Sequence, residues 1–171
     1  MSAQDKFVLS PKPVRLTIHL RIEDWRWRRN AATLKLIRQA TRLALKSTGM
    51  SKGTLTILLS DDAALKSLNH HFRGKPRTTN VLSFPSPDPA YLGDIAIGYG
   101  IVAREAHAQG KRIKAHATHL AIHGALHLAG FDHRNRPETQ EMEALEVQIL
   151  GRLGLPNPYP GKPYPGKGKA A

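Results

Sequence analysis

The stretch HGALHLAGFDH, residues 123–133, places histidines at 123, 127 and 133 and a glycine at 130. Positions 123 and 127 are one helical turn apart, so on a helix their imidazoles converge on one point. Gly130 is suited to the left-handed conformation that ends a helix, and the reversal beyond it brings His133 back toward the same point. Three neutral imidazoles with a vacant fourth position make a catalytic zinc site and not a closed structural one. His119, one turn before His123, is the alternative third donor; the reversal at Gly130 favours His133. The chain has no cysteine, so any metal is held by imidazole nitrogen and carboxylate oxygen. Three imidazoles suit zinc best, although nickel accepts them too.

The pattern H-x-x-x-H-x-x-G-x-x-H is the spacing of one class of zinc proteases. Those enzymes place a glutamate directly after the first histidine as general base. Here that residue is Gly124, which carries no base, so the spacing points to a metal and away from peptide hydrolysis. A degenerate protease using Asp132 as base is the weakest reading. Met142 falls on the apolar row of a later helix and reads as core, not as a methionine turn. An ion held by neutral ligands keeps its full charge, which acidifies a bound water and polarises an oxyanion. In a basic protein the natural electrophile is a phosphodiester. Asp132, beside His133, is placed to orient a ligand, accept a proton or cap the turn. His116, His119, His123 and His127 share a helical arc of about 80°. His116 and His119 read as neighbours of the site: partners of the ligands, substrate contacts or packing.

The charge balance agrees. The chain of 171 residues has 26 Lys and Arg against 13 acids, a net charge of +13. Such an excess favours polyanions, nucleic acid first. Aromatic residues are only 6%, so recognition by backbone and shape is expected over base stacking. The amino terminus lacks a secretory pattern and no apolar run spans a bilayer, so a cytoplasmic protein without membrane contact is expected.

The elements that must position these residues follow from periodicity. VRLTIHLR, 14–21, alternates as a half-buried strand with His19 on the solvent side. WRWRR, 25–29, either grips RNA by stacking and charge or packs its tryptophans at the mouth of the core, and the latter is favoured. Asn30 caps a helix with Ile37, Ala40 and Ala44 in one row, ending near Gly49. Leu55, Ile57 and Leu59 mark a second strand. Ser60 is expected to cap the next helix, with Asp61 and Asp62 in its first turn, running to about Phe72. The polar segment 73–80 precedes strands at 81–84 and 92–98. A helix is expected from Ile101 to Gly110, another from near Lys111 carrying the histidines, and a last from Pro137 with Met142, Leu145, Ile149 and Leu153 in one row. The expected fold is α+β, a single domain with a small mixed sheet of about four strands surrounded by about five helices. Residues 1–155 form the domain. Residues 156–171, with PYPGK occurring twice, read as a disordered basic tail.

HGALHLAGFDH resembles the H-G-x-L-H-L-x-G-[YF]-D-H signature of the YbeY family of bacterial ribosomal RNA maturation factors. FRGKPRTTNVLSFP at 72–85, LGDIAI at 92–97 and EMEALEVQIL at 141–150 are similar to further blocks of that family, so the resemblance covers residues 52–158. It implies a single-strand-specific, zinc-dependent endoribonuclease acting in ribosomal RNA maturation, at the 3′ end of 16S rRNA, and in ribosome quality control. It implies one zinc ion on His123, His127 and His133, and it assigns Arg73 as a catalytic arginine facing the metal, a guanidinium able to steady a phosphoryl transition state. Ribosomal RNA and ribosomal subunit proteins are the implied partners. The rival is a non-enzymatic ribosome assembly factor in which zinc is a structural pin.

Overall fold

The computed structural model describes residues 15–161. Val14 of the expected first strand and residues 162–171 of the expected tail lie outside the described residues. The element order is β1 (Thr17–Ile22), a 3-10 turn (Trp25–Arg29), α1 (Ala31–Ser47), β2 (Thr54–Ser60), α2 (Asp62–Arg73), β3 (Val81–Pro85), β4 (Tyr91–Gly98), α3 (Tyr99–Ala108), α4 (Ile113–Leu128) and α5 (Arg136–Arg152). The strands form one mixed sheet in the order β1-β2-β4-β3. β1, β2 and β4 run parallel, and β3 returns antiparallel along the outer edge of β4. The α+β expectation of four strands and five helices holds.

Alternation decides the two faces of the sheet. Ile18, Leu55, Ile57, Leu59, Ile95 and Ile97 lie on one face and are buried in the main core with α1, α4 and α5. Leu58, Leu82, Ala96 and Phe84 lie on the other, where α2 covers them with Leu65 and Leu68. α4 is the central helix: Ala117, Ala121, Ile122, Ala125 and Leu126 are all fully buried. It approaches the sheet so closely at Gly124 that an added Cβ would stand 2.8 Å from Cγ2 of Ile95 and 3.1 Å from Oγ of Ser83. A side chain at 124 would therefore force Ile95 to shift.

Several boundaries differ from the periodicity. The cap of α2 is Asp61, whose carboxylate accepts from Ala64 N at 2.8 Å, and not Ser60. Ser60 is the last residue of β2, held extended by its pairing with Gly98, and its carbonyl accepts from Trp27 Nε1 at 3.1 Å. α3 begins two residues before Ile101, because Ile101 N and Arg104 bind the carboxylate of Asp62 and so draw the first turn of α3 against α2. The tryptophans divide: Trp27 is buried edge-on to Tyr99, whereas Trp25 is 60% exposed. Residues 156–161 do not fit the disordered tail that composition suggests. Lys111 Nζ donates to the Pro158 carbonyl, and Tyr159 reaches into the core of the site described next. Among the described residues no helix is long and apolar enough to cross a membrane.

Candidate metal centre

α4 delivers the first two histidines. His123 and His127 lie on its cleft-facing side, their Nε2 atoms 3.1 Å apart. The helix then ends in a Schellman turn: Gly130 N donates to the His127 carbonyl and Phe131 N to the Leu126 carbonyl, each at 3.0 Å, with Gly130 at φ +94°. The chain reverses and returns His133. One nitrogen from each of His123, His127 and His133 falls within 4.8 Å of the others, the spread expected of imidazoles around a single ion. His119 is not a fourth member. Its Nε2 is 2.8 Å from Glu146 Oε2, and it lies outside the group that His123, His127 and His133 form.

Asp132 holds the turn. Its Oδ1 accepts from the backbone N–H of His133 at 2.8 Å and its Oδ2 from Arg134 Nε at 2.5 Å. These donors keep its carboxyl below the usual range. Of the roles considered for it, the turn cap is the one its hydrogen bonds serve.

Periodicity passed over Glu146. This glutamate of α5 is 0% exposed. Its Oε1 lies 2.6 Å from His123 Nδ1, and its Oε2 is bonded to His119 and to the Tyr159 hydroxyl. Burial alone would raise its pKa, but the hydrogen bonds and charges of His119 and His123 outweigh burial and bring it down to about 2. Burial, together with the same carboxylate, pushes the Tyr159 phenol far above its ordinary value. A signal was present: 146 falls between 142 and 149 on the buried row of α5, and an acid on a core-facing row needs a partner. Tyr159 gave no such signal, since it lies in a stretch whose composition reads as tail.

The electrostatics suit a metal. Burial pushes the His127 pKa below 6.5, and the neighbouring His123 and His133 lower it further. A neutral ring with a free lone pair is what a metal requires. The bond from His123 Nδ1 to Glu146 fixes that ring's tautomer and turns Nε2 to the cleft. The donor set therefore fits one divalent ion.

The cleft has a volume of about 590 Å³ and is lined by the three histidines and by Arg73, Asn80 and Ser83, among others. Arg73 is the last residue of α2, not a loop residue. Gly74 follows it at φ +65° and closes the helix, while Arg73 Nη2 donates to the Ser83 carbonyl at 3.2 Å. Ser83 Oγ in turn donates to the Gly124 carbonyl at 3.3 Å, so one strand residue ties the arginine to the histidine helix. His116 stands outside the cleft. Its Nε2 is 2.7 Å from Glu105, which also accepts from Asn80.

Fold and site together define an α+β domain with a candidate metal centre opening on a cleft that Arg73 also lines. The family described as Endoribonuclease YbeY matches residues 20–154. The chain is 47% identical over 129 residues to Endoribonuclease YbeY of Chelativorans sp. (strain BNC1), covering 71% of this chain and 79% of that one. It is 42% identical over 153 residues to Endoribonuclease YbeY of Maricaulis maris (strain MCS10), covering 87% and 96%. Among solved structures it is similar in fold to TM1509 from Thermotoga maritima, with a TM-score of 0.58 and 24% identity over 85% of this chain and 99% of that one. The chain belongs to the Endoribonuclease YbeY family.

Proposed function

We propose that this chain is a zinc-dependent endoribonuclease that cleaves single-stranded ribosomal RNA during maturation of the 16S rRNA 3′ end and in ribosome quality control. The carrying observation is the convergence of His123, His127 and His133 in a cleft that Arg73 also lines. A divalent ion on the histidines, together with the Arg73 guanidinium, would suit a phosphodiester, and the net charge of +13 suits a polyanion. Zinc bound to the three imidazoles would supply Lewis-acid chemistry at the scissile phosphate. The protein does the positioning. Glu146 holds His123 in one tautomer, and His119 and Tyr159 hold Glu146. Arg73, anchored on the Ser83 carbonyl, has donors left for phosphate oxygens and stabilises the charge that builds on them. Asp132 keeps His133 in its turn. The setting is the cytoplasm, with ribosomal subunit proteins as partners.

Cleavage of end-labelled ribosomal RNA by the zinc-loaded protein tests this, with His127→Ala and Arg73→Ala alongside. Cutting by the native protein alone supports it. Equal cutting by all three would mark a contaminating nuclease, and no cutting by the native protein despite bound RNA would transfer the role to an assembly factor with zinc as a pin.

A further inference from the structure

Residues 25–60 contain eight of the chain's 26 lysines and arginines and none of its 13 acids. Four of these cations, Lys35, Arg38, Arg42 and Lys46, lie on α1 at steps of three, four and four. They fall within an arc of about 80° and run along about 16 Å of helix. Lys35, Arg38 and Lys46 are exposed and Arg42 is half-buried. None of the four joins an ion pair among the described residues. The opposite side of α1, with Ile37, Ala40 and Ala44, is buried in the core.

Two further features lie at the amino-terminal end of α1. A shallow hollow of about 540 Å³ is lined by Asn30, His107, Lys111, Arg112 and Lys114, with no acid. Trp25, just before α1, carries the Arg29 guanidinium 4.8 Å above its ring and is otherwise exposed.

Solubility does not ask for this arrangement. Mixed charges serve it as well, and without the repulsion of like charges four residues apart, as in Arg38–Arg42 and Arg42–Lys46. A linear polyanion laid along α1 relieves this repulsion and gains the entropy of released counterions. An evenly spaced row of cations reads a backbone and not a base sequence, and an exposed tryptophan accepts any base face.

We propose that α1 and the hollow at its amino-terminal end form a docking surface for an RNA phosphate backbone. The surface is separate from the cleft, to which no residue of α1 contributes. RNA is thus held at one place and cut at another. The choice of RNA as the polyanion rests on the endoribonuclease reading.

The test compares two triple variants with equal charge loss. Lys35→Gln/Arg38→Gln/Arg42→Gln removes three of the stripe's cations. Lys66→Gln/Arg136→Gln/Arg152→Gln removes three exposed cations elsewhere. Glutamine keeps helix propensity. Binding of a labelled ribosomal RNA fragment is titrated between about 50 and 200 mM salt. The stripe variant should flatten the plot of log K against log salt by about 2, at roughly 0.7 per lost contact, while the control keeps the native slope. Equal slopes in all three proteins, or equal losses in both variants, would overturn the proposal. So would retained RNA binding with lost binding of polyglutamate, which would assign the stripe to an acidic protein. Should the triple variant not fold, Lys35→Gln/Lys46→Gln reports the same effect at about two-thirds of the size. Cleavage of a short oligonucleotide by the native protein is scored separately. No cleavage with a flattened slope in the stripe variant removes the endoribonuclease reading and keeps the docking surface; cleavage with unchanged slopes does the reverse.

Discussion

Glu146 Oε1 lies 2.6 Å from Nδ1 of His123, whose Nε2 faces Nε2 of His127 at 3.1 Å. One buried carboxylate on α5 thereby sets the direction of a lone pair in the cleft. Removing its charge while keeping its shape, in Glu146→Gln, should weaken zinc binding about 10–100-fold. Competition against a chromophoric chelator measures this directly. Unchanged affinity would reduce Glu146 to a packing residue.

Tyr159 ties the segment after α5 to the same carboxylate. Tyr159→Phe loses that hydrogen bond and leaves Glu146 with one donor fewer. The expected cost is about 1 kcal/mol, read as a lower urea midpoint with an unchanged slope.

Gly124 tests the packing explanation. Gly124→Ala pushes a methyl into Ile95 and should cost about 1–3 kcal/mol. Ile95→Ala opens the space, so the double variant should be more stable than the sum of the single losses predicts. Strict additivity would mean that the glycine is not there for close approach.

Arg73 is exposed and makes a single backbone hydrogen bond, so Arg73→Ala should leave thermal stability within experimental error. Turnover of RNA should fall about 10²–10³-fold, the usual loss for one charge-stabilising donor. Arg73→Lys should not restore it fully, since an ammonium lacks the two-pronged geometry.

The pH dependence of the metal-free protein follows from His116. Burial pushes its pKa below the ordinary 6.5, against the opposing pull of Glu105. The folded state prefers the neutral ring, whereas the unfolded chain takes up a proton as pH falls through 6.5. Stability is therefore complete above about 6.5 and is lost progressively as pH drops toward the lower folded value. His127 acts in the same direction for the same cause. Urea midpoints should fall between pH 7.5 and 5.5, and His116→Gln should show a smaller fall.

The three-histidine cluster was legible because helical spacing and the chain reversal at Gly130 are both local properties. The sheet was legible too, since Leu55, Ile57 and Leu59 alternate as a buried strand must. Arg73 was not legible without the family resemblance: its place depends on β3 lying beside α2, a contact no local pattern shows. Glu146 was missed for a different reason. Its apolar neighbours dominate the row, and only its pairing with α4 tells a buried acid from an exposed one. Gly124 was read through what it lacks as a base, whereas its cause is the distance between α4 and the sheet. Ser60 lost the cap to Asp61 because strand pairing with Gly98 outcompeted a local preference.

The parts of the site come from widely spaced stretches of chain: Arg73 closes α2, His123 and His127 lie near the end of α4, His133 follows in the turn beyond it, Glu146 belongs to α5, and Tyr159 comes later still. Ribosomal synthesis releases them in that order. A nascent chain displays the histidine cluster before the carboxylate and phenol that hold it in one geometry have emerged. Full affinity for the ion is thus among the last properties the growing polypeptide acquires, and a chain broken off between His133 and α5 would carry the ligands without their support.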